Sequence, residues 1–403
     1  MMSLSRRVLL GLSVSAFALA SGLVPAMAAG EPLKFWIPLG LSGPIAITGQ
    51  AQQVGWQHAI DWINKEGGIG GRPVEVSFYD DEYKVELGVA GFKKAVADGD
   101  VIFTGGNGTS FIRAISPENN ETYKVLMSGT SGVSELVNTE NFKYHFLAGT
   151  NYSDQVGQLL NYIKATHKGD APARIAFIYS GTEFGRDPLE YMRAKAAELG
   201  IEVALEYETK LVEVDVTGAA VKLRNVKPDY TLFHGYAENV WPEIIRLSRD
   251  YGIETQFMGT LFGSHPEVVA TVGDAANNYI GAISVNLLVE DTDTPMMNII
   301  ADYLKTWNGK PYTGYANVGY MQSWAAALVL REAIGNAIEK DLPLDGDHLI
   351  AEINAIQDLD TGGVYGTPIH FENQRVPYGV LYRYNIEDGK LVVKEETGWA
   401  KVD

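Results

Sequence analysis

Beginning at Leu33, the chain alternates two hydrophobic rhythms, short apolar runs that read as strands and longer stretches whose apolar positions recur at helical spacing. Leu33–Pro38 predicts a first strand. Trp56, Ile60 and Ile63 then share one helix face, and Gly67-Gly68 ends that helix by supplying permissive dihedrals. Val74, Val76 and Phe78 alternate with Glu75 and Ser77, the pattern of a half-buried strand. Val85, Val89, Phe92 and Val96 predict the next helix. Val101–Thr104 and Lys124–Ser128 predict the next strands.

A second unit repeats this logic. Val156, Leu159, Leu160 and Ile163 form a helix face ahead of a strand at Arg174–Tyr179. Leu189, Met192, Ala196 and Leu199 mark another helix, and strands are predicted at Val203–Tyr207 and Asp229–Phe233. Pro242 suits the first turn of a helix carrying Ile244, Ile245 and Leu247. Strands at Gln256–Met258 and Tyr279–Ser284 close the series, so two α/β units with largely parallel sheets follow in tandem. After Val285 long helices return, around Met297–Trp307 and Gly319–Ala337. Late strands are predicted at Ile369–Glu372, Gly379–Tyr384 and Leu391–Lys394. Neither unit is complete without this last third, so the chain is expected to cross between the units more than once. With no low-complexity linker, the hinge is expected to be several short crossovers, as in lobe-closing proteins.

The N-terminus sets the compartment. Arg6 and Arg7 precede an apolar run from Val8 to Val24 that ends in Ala26-Met27-Ala28. This predicts a secretory signal peptide over 1–28, cut after Ala28. A membrane anchor is the competing reading, but the run is short, is broken by Gly and Ser, and meets a cleavage-like site. Ser5-Arg6-Arg7 leaves general and twin-arginine export both open. The chain has no cysteine, hence no disulfide and no thiol to carry a lipid. The periplasm of a two-membrane bacterium is the expected location. A net charge of −18 argues against a nucleic-acid partner, which needs a basic face, and serves solubility instead. At 403 residues, two domains are expected.

Several motifs in order then point to a family. Gly40-Leu41-Ser42-Gly43-Pro44 followed by Gly49 resembles the first ligand loop of the leucine/isoleucine/valine-type periplasmic solute-binding proteins of ABC transporters. Trp62 to Ile69 resembles that family's helix end, Tyr79-Asp80-Asp81 its second strand end, Gly105 to Ser110 its next strand-to-helix loop, and Thr130-Ser131 the one after. Glu183-Phe184-Gly185, Gly235-Tyr236 and Gln256-Phe257-Met258-Gly259 match the second lobe. The resemblance implies the type I fold: α/β, two Rossmann-like lobes with mainly parallel sheets, joined by three crossovers near Gly149–Asn151, Ser284–Leu287 and Thr367–Phe371. Lobe I would comprise residues 32–149 plus 286–368, and lobe II 150–285 plus 369–403. It also implies no catalysis, no cofactor, a monomer, a small-molecule ligand and an inner-membrane ABC permease as partner.

The same resemblance assigns candidate ligand contacts. In lobe I, loops at the carboxyl ends of strands run into helix amino termini, which favour an anion. There Asn107 and Thr109 lie in one loop and Thr130, Ser131 and Gly132 in the next. A competing reading makes Thr109 and Ser131 helix N-caps. Gly132 stands where amino-acid binders commonly place a Thr. Thr48 stands where the family often has an aromatic residue, and Phe184 where a Tyr is common. Tyr236 and Tyr315 match aromatic contacts, Tyr152 sits by the first crossover, and His234 ends a strand at the expected cleft. Trp36, Trp241 and Phe262 are further aromatic candidates. Leu261 occupies the place of the acid that holds a ligand ammonium, and burying an ammonium unpaired costs several kcal/mol or more. An aromatic or other non-amino carboxylate is therefore the expected ligand. A branched-chain amino acid is second, and needs Glu183, Glu238 or another acid to reach in.

No enzyme site assembles. Histidines 58, 145, 167, 234, 265, 348 and 370 are scattered without metal-ligand spacing. Gly105-Gly106-Asn107-Gly108 lacks the residues of a P-loop or a dinucleotide fingerprint. Asp80-Asp81-Glu82 reads as a solvated turn rather than a calcium loop. The expected function is the substrate-binding component of an uptake transporter. A ligand sensor of the same fold is the alternative, with a periplasmic hydrolase behind it.

Overall fold

Strand β1, Leu33–Leu39, is buried at all but one position, so it needs a neighbouring strand on each side and cover on both faces. The computed structural model describes residues 30–402 apart from 100, 107, 214, 289–292, 315 and 317, with the backbone alone at 128, 129, 136 and 137. The expected signal peptide, 1–28, lies outside the described residues. Helix α1 (Ala46–Lys65) carries the chain to β2 (Val74–Asp80), and α2 (Val85–Asp98) to β3 (Val101–Thr104). Helix α3 (Thr109–Glu118), β4 (Leu126–Gly129) and β5 (His145–Leu147) complete a five-stranded parallel sheet of order β2-β1-β3-β4-β5.

The second sheet follows the same winding. Asn151 caps α4 (Tyr152–Thr166) through a capping box with Asp154, and the elements then run β6 (Arg174–Ser180), α5 (Glu183–Arg186), α6 (Leu189–Leu199) and β7 (Glu202–Thr209). After α7 (Thr217–Val226) come β8 (Tyr230–His234), α8 (Trp241–Asp250), β9 (Gln256–Gly259), α9 (Pro266–Ala270) and β10 (Tyr279–Ile283). The parallel part has the order β7-β6-β8-β9-β10. Each sheet buries Val, Ile, Leu and Phe on both faces, as parallel sheets require.

The last third is divided between the two sheets. Helix α10 (Pro295–Tyr303) and a short hairpin, β11 (Thr306–Trp307) with β12 (Lys310–Pro311), lead to α11 (Gly319–Glu339) and α12 (Gly346–Asn354). Helix α11 lies along α1: the Ser323 hydroxyl donates to the Gln52 carbonyl at 3.1 Å, and the rings of Trp62 and Trp324 are 6.1 Å apart. Strand β13 (Tyr378–Glu387) then joins the second sheet antiparallel to β10, followed by β14 (Lys390–Glu395) and β15 (Ala400–Lys401) on β13. The chain thus passes between sheets after Leu147, after Ile283 and before Tyr378. At the first passage Gly149 lies against Ser284 of the second, where a Cβ would sit 2.7 Å from the Ser284 hydroxyl.

Two expected elements are corrected. The helix expected to reach Trp307 stops at Tyr303, because Asn308 and Gly309, at φ 50° and 72°, form a tight turn that folds Thr306–Trp307 onto Lys310–Pro311. Ile369–Glu372 makes only isolated bridges, Leu359–Ile369 and Glu372–Arg375, since left-handed Asn373 and Gln374 turn the chain at once. Strand β5 and helices α3, α7 and α12 are among the elements that the apolar spacing did not predict. Among the described residues no helix is long and apolar enough to cross a membrane.

Candidate functional site

In both sheets the winding reverses beside the first strand, between β1 and β3 and between β6 and β8, and α/β sheets hold ligands at the carboxyl ends of strands at such points. Here the two sets of loops face each other. Asp80, ending β2, pins the loop after β1: it accepts the Leu41 and Ser42 N–H groups at 3.0 and 3.2 Å and the Ser42 hydroxyl at 2.7 Å. Burial opposes ionisation of Asp80, but these bonds and one from Glu82 hold its pKa below the ordinary value. Glu82 and Tyr83 follow in left-handed conformation, at φ 52° and 60°, and set the Tyr83 ring against the opposite lobe. Asp81 is 2% exposed and its carboxyl is pushed up to about 6, chiefly by burial. Of the acidic run expected to be a solvated turn, Asp81 is buried, while Asp80 is half-buried and the Glu82 side chain stays exposed.

At the far side of this lobe, Gly108 at φ 116° is the N-cap of α3 and Thr109 its first residue, so Thr109 is not the cap. Its hydroxyl is fully buried within reach of the Tyr152 phenol and makes no well-formed hydrogen bond among the described residues. The Thr130 hydroxyl donates to the Gly106 carbonyl at 2.9 Å, and the Ser131 hydroxyl lies 3.3 Å from the Tyr152 phenol oxygen. Ser131 likewise caps no helix; Val133 is the N-cap of the next turn. A Cβ at Gly132 would meet the Thr150 carbonyl and the Tyr152 ring at 3.2 Å, which explains glycine there. The first N–H groups of α3, which have no partner within the helix, and a buried hydroxyl beside them suit an anionic group.

Aromatic rings form the floor. Phe184 lies 4.9 Å from Tyr152, 4.4 Å from His234, 4.9 Å from Tyr236 and 5.8 Å from Phe262, centroid to centroid. The Tyr236 and Tyr83 hydroxyls meet across the lobes at 3.4 Å. His234 contributes only a ring face: Nδ1 lies 2.8 Å from the Thr260 hydroxyl and Nε2 3.0 Å from the Phe184 carbonyl. Burial holds its pKa down at about 3, so the ring is neutral. The Leu261 side chain is buried and its N–H donates to Gln155 Oε1 at 3.1 Å. Trp36 packs on Tyr79 and Phe92, and Trp241 stacks on Phe233, so both belong to the core. Asn107 and Tyr315 lie outside the described residues.

Polar contacts also join the lobes. Thr48, placed by the resemblance at an aromatic position, donates its hydroxyl to Glu238 Oε1 at 2.6 Å. Arg113 on α3 reaches Asp187 beyond α5 at 2.7 Å, holds Glu135 at 2.8 Å, and approaches Glu183 at 3.5 Å. Ser134 donates its N–H at 3.1 Å, and its hydroxyl, to Asp187. Tyr83, Arg113 and Asp187 were not among the sequence candidates. Arg113 and Asp187 show as ordinary helix-surface charges until the lobes are brought together.

Comparison with known proteins gives one picture. The family model described as "Periplasmic binding protein" matches residues 37–390. A leucine-, isoleucine-, valine-, threonine- and alanine-binding protein of Pseudomonas aeruginosa is 24% identical over 313 residues, 78% of this chain and 80% of that protein. The Leu/Ile/Val-binding protein of Escherichia coli is 25% identical over 306 residues, 74% and 80% of the two chains. A Thermus thermophilus branched-chain amino acid ABC transporter protein with bound valine superposes with a TM-score of 0.82 at 23% identity, covering 92% of this chain and 97% of that one. A solute-binding protein of an ABC transporter from Rhodopseudomonas palustris, in complex with 3,4-dihydroxy benzoic acid, gives 0.73 at 18% identity, covering 92% and 98%.

Proposed function

The chain belongs to the periplasmic binding protein family, with the type I fold, and from that premise we propose that it captures a small organic carboxylate between its lobes for an inner-membrane ABC permease. The observation that carries this reading is the buried Thr109 hydroxyl at the start of α3, which lies within reach of the Tyr152 phenol, has no well-formed hydrogen bond among the described residues, and faces an aromatic floor contributed by the other lobe. The carboxylate docks at the Thr109 and Ser131 end and the ligand's apolar body lies against Tyr152, Phe184 and Tyr236. The lobes are 32–149 with 286–368 and 150–285 with 369–403. The chain reaches the periplasm through the leader 1–28 and acts there as a binder, without catalysis.

A thermal-shift panel tests the reading, because a ligand that binds only the folded state raises the melting temperature by mass action. Aromatic and aliphatic carboxylates at millimolar concentration should raise it by several degrees. Thr109→Ala should weaken binding about tenfold, a loss of about 1.4 kcal/mol, and leave the ligand-free melting temperature in place. A panel in which no carboxylate stabilises the protein would sink the proposal.

A further inference from the structure

Where the chain passes between the lobes, one side chain gathers contacts from both. Asn286, three residues beyond β10, ties the second passage to the chain that leads into the third: its N–H donates to the Val364 carbonyl at 2.8 Å and its Nδ2 to the Gly363 carbonyl at 2.9 Å. Those partners lie within 286–368, so Asn286 is held on the side of the first lobe. Its Oδ1 faces the second, accepting from the Tyr382 phenol at 2.9 Å and from the Trp399 indole Nε1 at 3.1 Å.

Both donors are fixed to the second sheet. Tyr382 is part of β13, and its phenol is also hydrogen-bonded to the Leu287 backbone. Trp399 lies on the strap between β14 and β15, which is fastened to β13 on either side of the ring. Before it, the Glu396 N–H donates to the Leu381 carbonyl at 2.8 Å, and the Leu381 N–H to the Thr397 hydroxyl at 3.1 Å. After it, Ala400 and Lys401 pair with Gly379 and Tyr378. The half-buried indole is 5.9 Å from the Tyr365 ring and lies against Gly366, where a Cβ would sit 2.2 Å from its Cδ1 and Nε1. Gly366 is not among the residues of positive φ, so the room the indole needs, rather than a turn, accounts for glycine there.

One carboxamide oxygen thus joins groups anchored to different lobes. Rotation of one lobe against the other carries Asn286, held at Gly363 and Val364, away from Tyr382 and Trp399, held on β13, and the two bonds lengthen as the cleft opens. Resting on the closing lobes proposed above, we infer that Asn286 and Trp399 are positioning residues for closure, the strap holding the hinge in its closed setting before a ligand arrives. The ligand then meets a cleft already partly formed, which spares it part of the cost of closing the lobes.

Paired spin labels test this on the full chain without ligand, so the outcome does not depend on which molecule the cleft holds. The sequence has no cysteine, and Glu86→Cys with Val212→Cys puts one label on an exposed site of each lobe, beyond the carboxyl ends of β2 and β7. The labelled wild-type chain should show the closed distance of this structure in part or all of its molecules. Trp399→Phe removes the N–H and keeps a ring; Gly366→Ala dislodges the indole from the opposite side. Each should lower the closed-to-open ratio about threefold to tenfold, the net worth of one hydrogen bond, with the melting temperature within a few degrees of wild type. A wild-type chain without the closed distance, or a distribution that Trp399→Phe leaves unchanged, overturns the inference and leaves the carboxylate cleft, which the thermal-shift panel tests, standing. Early melting of Trp399→Phe at an unchanged distribution also overturns it, by making the strap part of the second lobe's own stability.

Discussion

Asp187 has no exposed side-chain surface, and its carboxyl is raised to about 6, first by burial and with Glu135 adding to it, against the hydrogen bonds from Ser134 and the charge of Arg113. When the lobes part, water returns and the group relaxes toward its ordinary 3.8, with Arg113, Glu135 and Glu183 no longer held around it. Closure therefore takes up a proton between those two values. The sign follows: this contribution to closure is fully present below the lower value and is lost as pH rises through about 6. Ligand affinity should rise several-fold from pH 7 to pH 5, and Asp187→Asn should abolish that part of the dependence. Calorimetry in buffers of different ionisation heat measures the proton directly, and identical uptake by the Asn variant would refute the assignment. Such a group was not legible in the sequence, because its burial exists only once two lobes meet. Thr109, Ser131, Tyr152, Phe184 and Tyr236 were candidates through the family resemblance, and the fold brings their side chains close together. Tyr83 was hidden for a different reason: two consecutive left-handed residues aim it, and neither is a glycine.

Among elements, the packing of α11 on α1 holds the last third of the chain to the first lobe. A Cβ on Gly55 would lie 2.5 Å from the Tyr320 carbonyl and 2.9 Å from the Ser323 Cβ, so the two helices touch where α1 has no side chain. Gly55→Ala must push them apart, and overpacking of this kind costs about 1–3 kcal/mol. Urea denaturation should show that loss; an unchanged midpoint would mean that the helices are not pressed together. The strands and helices themselves were mostly readable, because buried parallel strands such as β1 and β8 are nearly pure apolar runs. The misses have separate causes. Strand β5 is three residues long, too short to show a period, and α12 is a short helix after a turn. The false strand at Ile369–Glu372 had the right residues but lies in a stretch that bridges rather than pairs.

For the molecule as a whole, polar contacts among the described residues join the two lobes across the cleft: Thr48 with Glu238, Tyr83 with Tyr236, Arg113 and Ser134 with Asp187, Ser153 with Ser134, and the Ala316 N–H with Glu267. Each lobe, by contrast, buries its own sheet. Removing a cleft contact should therefore shift the balance between closed and open forms without unfolding either lobe. Arg113→Ala makes the sharpest case. In the closed form it strands the Asp187 carboxylate, buried and short of its cation, and breaking such a pair from one side costs far more than an exposed pair is worth. In the open form the same carboxylate is solvated and the penalty vanishes. The variant should show a larger radius of gyration by small-angle scattering, with ligand restoring the compact value only at higher concentration. If the closed population falls tenfold, the apparent affinity falls by the same factor. The melting temperature without ligand should hardly move. A variant that melts early at unchanged radius would instead make Arg113 part of the first lobe's own stability, and the cleft would need another latch.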